Sequence, residues 1–221
     1  ELAAVGFAPA LKPKKDYDLL ERKYFMGYVS SNTTSIMRQV TLYGVDFRTT
    51  FNQTPLMTAC HFGNPLLAKQ LIEKWANPYL TDNIGRNAFQ IVLQKALLDK
   101  RFAQDKLASL YECLSPDYIS LQVEDKLIKI DVQRMEFFLV NAMIAMVHQK
   151  QQKYHLSWAF NVDDFLGPLM HFPEKVMPEK RKRRSYLSSI LAKNEINRQD
   201  IYNRKLFQRV RHGHYRLNPN L

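Results

Sequence analysis

Cysteine is scarce in this chain. The 221 residues contain two, Cys60 and Cys113. A pair so far apart gives neither a disulfide framework nor the clustered spacing of a metal site, so the expected compartment is a reducing one and no metal is expected. Glycine is also sparse, at seven residues, and none falls in a glycine-rich phosphate loop, a Gly-x-Ser-x-Gly elbow or beside a His-Glu-x-x-His helix. Long apolar runs are missing. The longest candidate, Phe137 to Val147, is far too short to span a bilayer, and Leu2 to Leu11 lacks a basic start and runs into Pro13, so neither a membrane span nor a secretory signal is expected. The chain opens on Glu1 rather than Met, which fits a portion of a longer protein.

Acidic residues are few at one end. The net charge is +11, and residues 174–221 hold 13 Lys and Arg against 4 acids, a surplus of nine that leaves only two for the rest. Charge concentrated in this way favours a polyanion, because neutralised phosphates release their counterions. A membrane surface would call for an apolar face beside the charges on an amphipathic helix or a lipidation signal, and neither stands out, so no membrane partner is expected.

Residues 1–17, with Pro9, Pro13 and Lys12, Lys14 and Lys15, read as a linker without periodicity. An internal repeat follows. Its best copy is Thr54-Pro55-Leu56-Met57-Thr58-Ala59-Cys60-His61-Phe62-Gly63-Asn64, continued by Leu66 to Ile72. Thr54 is a helix cap, Pro55 suits the first helical position, and Gly63 turns the chain into a second helix. Advancing 33 positions carries Asn52, Thr54 and Leu56 onto Gly85, Asn87 and Phe89. Going back 31 positions carries Gly63, Leu67, Ala68, Leu71 and Trp75 onto Asn32, Ile36, Met37, Val40 and Gly44. A third copy runs through Ile91, Val92, Leu93 and Ala96, lengthens, and resumes as a helix over Lys106 to Leu114. A first helix pair is expected near Asp18.

The Thr-Pro-Leu-x-x-Ala-x-x-x-Gly run at this period resembles the ankyrin repeat, over about residues 18–112 and best at 52–89. The resemblance implies stacked helix pairs that act as a structural spacer or bind a partner protein. Trp75 stands where the family has Gly, and Met57 where it often has His, so distorted hairpin loops are expected.

After Pro116 the period changes. Tyr118 to Val123 and Lys126 to Ile130 alternate as two strands around Glu124-Asp125. A core helix is expected over 132–152, with Met135, Phe138, Leu139, Ala142, Met143 and Met146 at helical spacing. A short helix over 161–166 follows, capped by Asn161 and carrying Asp163 and Asp164 near the positive end of its dipole. A third helix is expected over 179–195, entered by Lys180, Arg181, Lys182, Arg183 and Arg184, with Tyr186, Leu187, Ile190 and Leu191 as its apolar stripe. Last comes a hairpin over 206–217, turned at Gly213 and anchored by Phe207, Val210, Tyr215 and Leu217.

This order is that of a winged helix. Phe-x-Arg-Val-x-x-Gly-x-Tyr-x-Leu at Phe207–Leu217 resembles the closing hairpin of winged helix-turn-helix modules of the HARE-HTH type. The fold class expected is therefore mainly α: a linker over 1–17, an ankyrin-type helix-pair array over 18–115 and a winged-helix-like α+β domain over 116–221. The candidate nucleic-acid-binding residues are Lys180, Arg181, Lys182, Arg183, Arg184, Ser188, Lys193, Arg209, Arg211 and His212. The partners expected are DNA or structured nucleic acid and, through the ankyrin block, a protein. The competing reading is a subunit of a larger, enzymatic assembly whose basic tail docks on an acidic protein; a cytoplasmic or nuclear location suits either.

Chemistry is not expected. Pro116-Asp117 with Glu124-Asp125-Lys126 superficially matches the acid pair and lysine of metal-dependent nucleases, but the spacing is short and Glu124 falls at a turn. Cys60 and His61 diverge on a helix, and His212 and His214 flank the hairpin glycine as a polar tip. No catalytic residue and no cofactor is assigned.

Overall fold

The computed structural model describes residues 33–49, 51–153 and 159–221, and within them the chain is mainly helical with two small antiparallel sheets. The expected linker over 1–17 and the helix pair near Asp18 lie outside the described residues. The chain divides into two units: the described residues up to Val92 with Ser109–Leu114, and Leu93–Ala108 with Ser115–Leu221.

The first unit contains α1 (Thr33–Tyr43), α2 (Pro55–His61), α3 (Pro65–Glu73), the start of α4 (Ala88–Leu98) and most of α6 (Leu107–Leu114). Thr54 caps α2 by accepting the Met57 amide at 3.2 Å, Pro55 opens the helix, and Asn64 caps α3 through the Leu67 amide at 3.0 Å. The core is aliphatic: Leu56, Leu67, Ala68, Leu71 and Val92 are fully buried. Phe89 meets Tyr111 edge-on, with ring centroids 5.2 Å apart.

The 33-residue period is visible in the backbone. In one loop the Thr49 amide donates to the Gln53 carbonyl and the Asn52 amide to the Thr49 carbonyl; in the next, Asp82 donates to Arg86 and Gly85 to Asp82. The side chains repeat too. Thr49 Oγ1 accepts the Gln53 amide at 3.1 Å, and Asp82 Oδ1 accepts the Arg86 amide at 2.9 Å. Asn52 and Gly85 both occupy the left-handed region, with φ of 60° and 78°. The 31-residue offset behaves likewise: Gly44 (φ 95°) and Trp75 (φ 66°) end α1 and α3 in the same conformation. Trp75 reaches it although a β-carbon makes that region costly. Its loop closes as a helix C-terminal motif, with the Ala76 amide donating to the Leu71 carbonyl at 3.0 Å. The loops are therefore regular where the sequence suggested distortion.

In the second unit α5 (Lys100–Asp105) fills the lengthened part of the third copy, capped by Asp99 through the amides of Arg101 and Phe102. Strands β1 (Tyr118–Val123) and β2 (Lys126–Asp131) pair antiparallel, with Glu124 in the left-handed region at the turn. The long helix α7 (Met135–Lys153) buries Phe137, Phe138, Leu139, Ala142 and Met143, and its Ala145 carbonyl accepts Gln94 Nε2 at 2.8 Å.

After α7 the chain returns as an extended point at Phe160, then α8 (Asp163–Leu169), a 3₁₀ turn (Glu179–Arg181), α9 (Arg184–Lys193), β3 (Phe207–Arg211) and β4 (His214–Leu217). Asn161 Oδ1 accepts the amides of Asp163 and Asp164, while Asp164 Oδ2 accepts the Asn161 amide, so the expected cap is reciprocal. Phe160 pairs antiparallel with Tyr215 of β4, exchanging hydrogen bonds of 2.6 and 2.8 Å. At the other edge Phe207 of β3 lies beside Glu195, just past the end of α9. The stretch around Phe160 thus adds a third extended segment to the terminal hairpin.

Two expectations change here. The helix expected over 179–195 is interrupted: Lys182 and Arg183 leave helical geometry and α9 starts only at Arg184. Lys182 turns inward at this break. In the hairpin, the register shifts between Arg209 and Arg211, so Val210 is left exposed rather than anchoring the strands, while Phe207 and Tyr215 are buried.

Candidate functional site

Ten residues were expected to meet nucleic acid, and the fold distributes them over three places. The first is the approach to α9. Lys180 and Arg183 are exposed and Arg181 is half-buried. Lys182 is not a surface cation: its ammonium donates to the Phe172 carbonyl at 2.8 Å and to Glu179 at 2.6 Å, with 3% side-chain exposure. It ties the loop before α9 to the core, and it leaves the candidate set for that reason. Arg184 is exposed, but its guanidinium pairs with Asp163 at the start of α8. That contact is missed by sequence reading, which assigned Asp163 only to its own helix dipole.

The second place is the body of α9. Leu187 and Leu191 are fully buried, so the helix presents Ser188, half-buried, and Lys193 near its last turn. Lys193 Nζ sits over the ring of Tyr202, 5.4 Å from its centroid.

The third is the terminal hairpin. Arg209 is held by Tyr215: its Nε and an Nη donate to the phenol oxygen at 3.2 and 2.8 Å, and the guanidinium lies 5.4 Å from the ring centroid. Those hydrogen bonds raise the Arg209 pKa above its usual value, which leaves unchanged the permanent charge that every guanidinium carries. Arg211 lies 3.1 Å from His214 Nε2, and His212 is exposed beside Gly213, whose φ of 69° makes the turn. Since β4 is stitched to Phe160, and Asp163 three residues on holds Arg184, the hairpin and the start of α9 are tied to one short segment. Neither Phe160 nor Tyr215 is a charged residue, which is why a search for cations passes over them.

The residues weighed for chemistry do not converge. Asp117 and Glu124 bound β1 at its two ends, roughly 23 Å apart for seven extended residues, too far to share an ion. Glu124 instead pairs with Lys205 at 2.7 Å. Cys60 is buried and His61 is exposed, stacked edge-on with Phe62. Burial pushes the thiols of Cys60 and Cys113 up, away from the reactive thiolate. Among the described residues no group of three His, Cys, Asp or Glu is placed to hold a metal, and no helix is long and apolar enough to cross a membrane.

Comparison with known proteins returns one family. No curated protein and no solved structure matches the chain. Residues 51–80 match the ankyrin repeat, a stretch that spans α2, α3 and the left-handed turn at Gly63 between them, and such repeats point to a protein-interaction role.

Proposed function

We propose that the second unit is a winged-helix-type nucleic-acid-binding module and that the repeat block of the first unit is its protein-docking scaffold. The observation that carries the reading is the pairing of Phe160 with Tyr215. It turns a list of elements into an arrangement: helix α7, an extended segment, helices α8 and α9, then a hairpin whose last strand lies beside that segment. On this reading α9 takes the recognition position of a winged helix and β3–β4 the wing. Supporting it, Lys180 and Arg183 are exposed on the approach to α9, and Arg209, Arg211 and His212 on the hairpin. Phosphate contacts from such cations give affinity and register without base preference.

The test is a salt-titrated anisotropy assay of the full chain on labelled duplex DNA. Affinity should fall steeply with salt, and Arg183→Ala with Arg209→Ala and Arg211→Ala should reduce it by roughly tenfold or more and flatten the salt slope by about one per lost phosphate contact. Duplex binding that ignores these substitutions would sink the reading. The same cations docking on an acidic protein is the competing function; it predicts a tail-dependent partner that survives nuclease digestion, and the repeat at 51–80 favours a protein partner for the first unit.

A further inference from the structure

A cleft of about 410 Å³ opens in the second unit on residues that sequence reading did not connect. Its wall carries three cations, Arg134, Lys193 and Arg204, against one carboxylate, Glu136. Glu136 is already committed: it pairs with Arg204 at 3.0 Å and is nearly buried. Neither Arg134 nor Lys193 has an ion pair among the described residues. The cleft therefore holds a net positive charge, focused by a concave wall. Beside the cations stands Tyr202, 74% exposed, with Ile201 at 95%, in the loop between α9 and β3. Lys193 Nζ lies over this ring, 5.4 Å from its centroid, and the rest of the ring is open to a stacking group, with a cation already beside it. The loop that carries it is nonetheless fixed: Asn203 Nδ2 donates to the carbonyls of Glu195 and Arg198 at 2.7 Å, and its Oδ1 accepts the Lys205 amide.

We propose that this cleft accepts one unpaired nucleotide of a nucleic-acid strand, with its phosphate on Arg134 and Lys193 and its base against Tyr202. The proposal rests on the reading of the second unit as a nucleic-acid module and adds to it a site for unpaired nucleotides, separate from the wing. A flat, apolar group joined to a dianion or monoanion uses both halves of the cleft at once, and a nucleotide is such a group. A carboxylate peptide uses the cations and leaves the ring idle.

The experiment compares the full chain with Tyr202→Ala, Tyr202→Phe and Arg134→Glu on three labelled probes: a blunt duplex, the same duplex with a single-stranded extension, and an oligo-glutamate peptide. Tyr202 and Arg134 are exposed, so the variants are expected to fold. The extension should tighten binding by about tenfold in the wild type, Tyr202→Ala should abolish that gain, Tyr202→Phe should retain it, and blunt-duplex affinity should stay within about twofold for both Tyr202 variants. Arg134→Glu should remove the gain as well and reduce the salt slope of the extended probe. If the blunt duplex binds but the extension adds nothing, or its gain survives Tyr202→Ala, the cleft proposal is overturned while the broader reading stands. If no nucleic acid binds, both fail. Peptide binding that is lost in Arg134→Glu, with no gain from the extension, makes the cleft a peptide site and overturns the proposal.

Discussion

The ammonium of Lys182 lies 2.8 Å from the carbonyl oxygen of Phe172, so the middle of the most basic run in the chain is an interior group. Replacing it with methionine keeps the apolar stem and leaves the Phe172 carbonyl and Glu179 without their donor. Lys182→Met should destabilise the protein by about 1–3 kcal/mol in urea melts, with an unchanged m-value, while the exposed Lys180→Met changes stability by less than about 0.5 kcal/mol. Equal effects at the two positions would show that Lys182 holds nothing in place.

How much could be read beforehand follows from cases like this one. Local signals carried well: Thr54-Pro55 opens a helix, Asn161 caps another, and the 33-residue period reappears as repeated loop hydrogen bonds. These depend on residues a few positions apart, where spacing alone fixes geometry. What stayed hidden was long-range. Lys182 reaches back ten residues to Phe172, Arg184 reaches Asp163, and Phe160 pairs across to Tyr215. A run of like charges says that the side chains are cationic, but which one turns inward depends on a carbonyl supplied by another element. The site was legible as a composition and not as a surface.

Trp75 offers a second measurement. It is 90% exposed and held at φ 66°, in the region that favours glycine. Relief of the left-handed strain, worth about 1 kcal/mol, exceeds the extra chain entropy that glycine brings to the unfolded state. Trp75→Gly is therefore expected to stabilise by roughly 0.5 kcal/mol, and Trp75→Ala to change little, in thermal or chemical denaturation. Destabilisation by Trp75→Gly would mean that the indole packs in solution.

Two caps 33 residues apart should behave alike. Thr54 Oγ1 accepts the Met57 amide, and Asn87 Oδ1 accepts the Gln90 amide at 2.9 Å. Thr54→Ala and Asn87→Ala are each expected to cost about 1 kcal/mol. Because each cap follows one of two loops whose hydrogen bonds repeat 33 residues apart, strongly unequal losses would argue that only one of these helix starts depends on its cap.

Asp163 masks a cation. Its pair with Arg184 is exposed on both sides, at 63% and 59%, so it contributes little to stability. Asp163→Asn should change unfolding free energy by less than about 1 kcal/mol, most of that from the helix dipole. On the nucleic-acid reading it frees Arg184, and duplex affinity and the salt slope should both rise, the slope by no more than about one. A fall in affinity would place Arg184 outside the interface.

The thiols give a pH test. Burial raises the Cys60 pKa first and the nearby Cys113 thiol adds to it; Cys113 is raised chiefly by burial, against the pull of Lys69. A raised thiol pKa means less thiolate at a given pH, and alkylation follows the thiolate. In the folded protein, mass spectrometry should find Cys60 unlabelled by iodoacetamide at pH 8, and the Cys113 rate still climbing with pH where a free cysteine has levelled off.

The division of the chain bears on how it can be cut. Leu93–Ala108 belongs with residues 115–221, although Ser109–Leu114 returns to the first unit. A fragment that begins at residue 116 discards Gln94 and its bond to the Ala145 carbonyl, which reaches into the middle of α7. During synthesis from the N-terminus, the segment that completes the first unit emerges only after part of the second has left the ribosome. Neither unit is a contiguous coding interval, so exchange of one of them between genes by a single crossover would carry away a piece of the other.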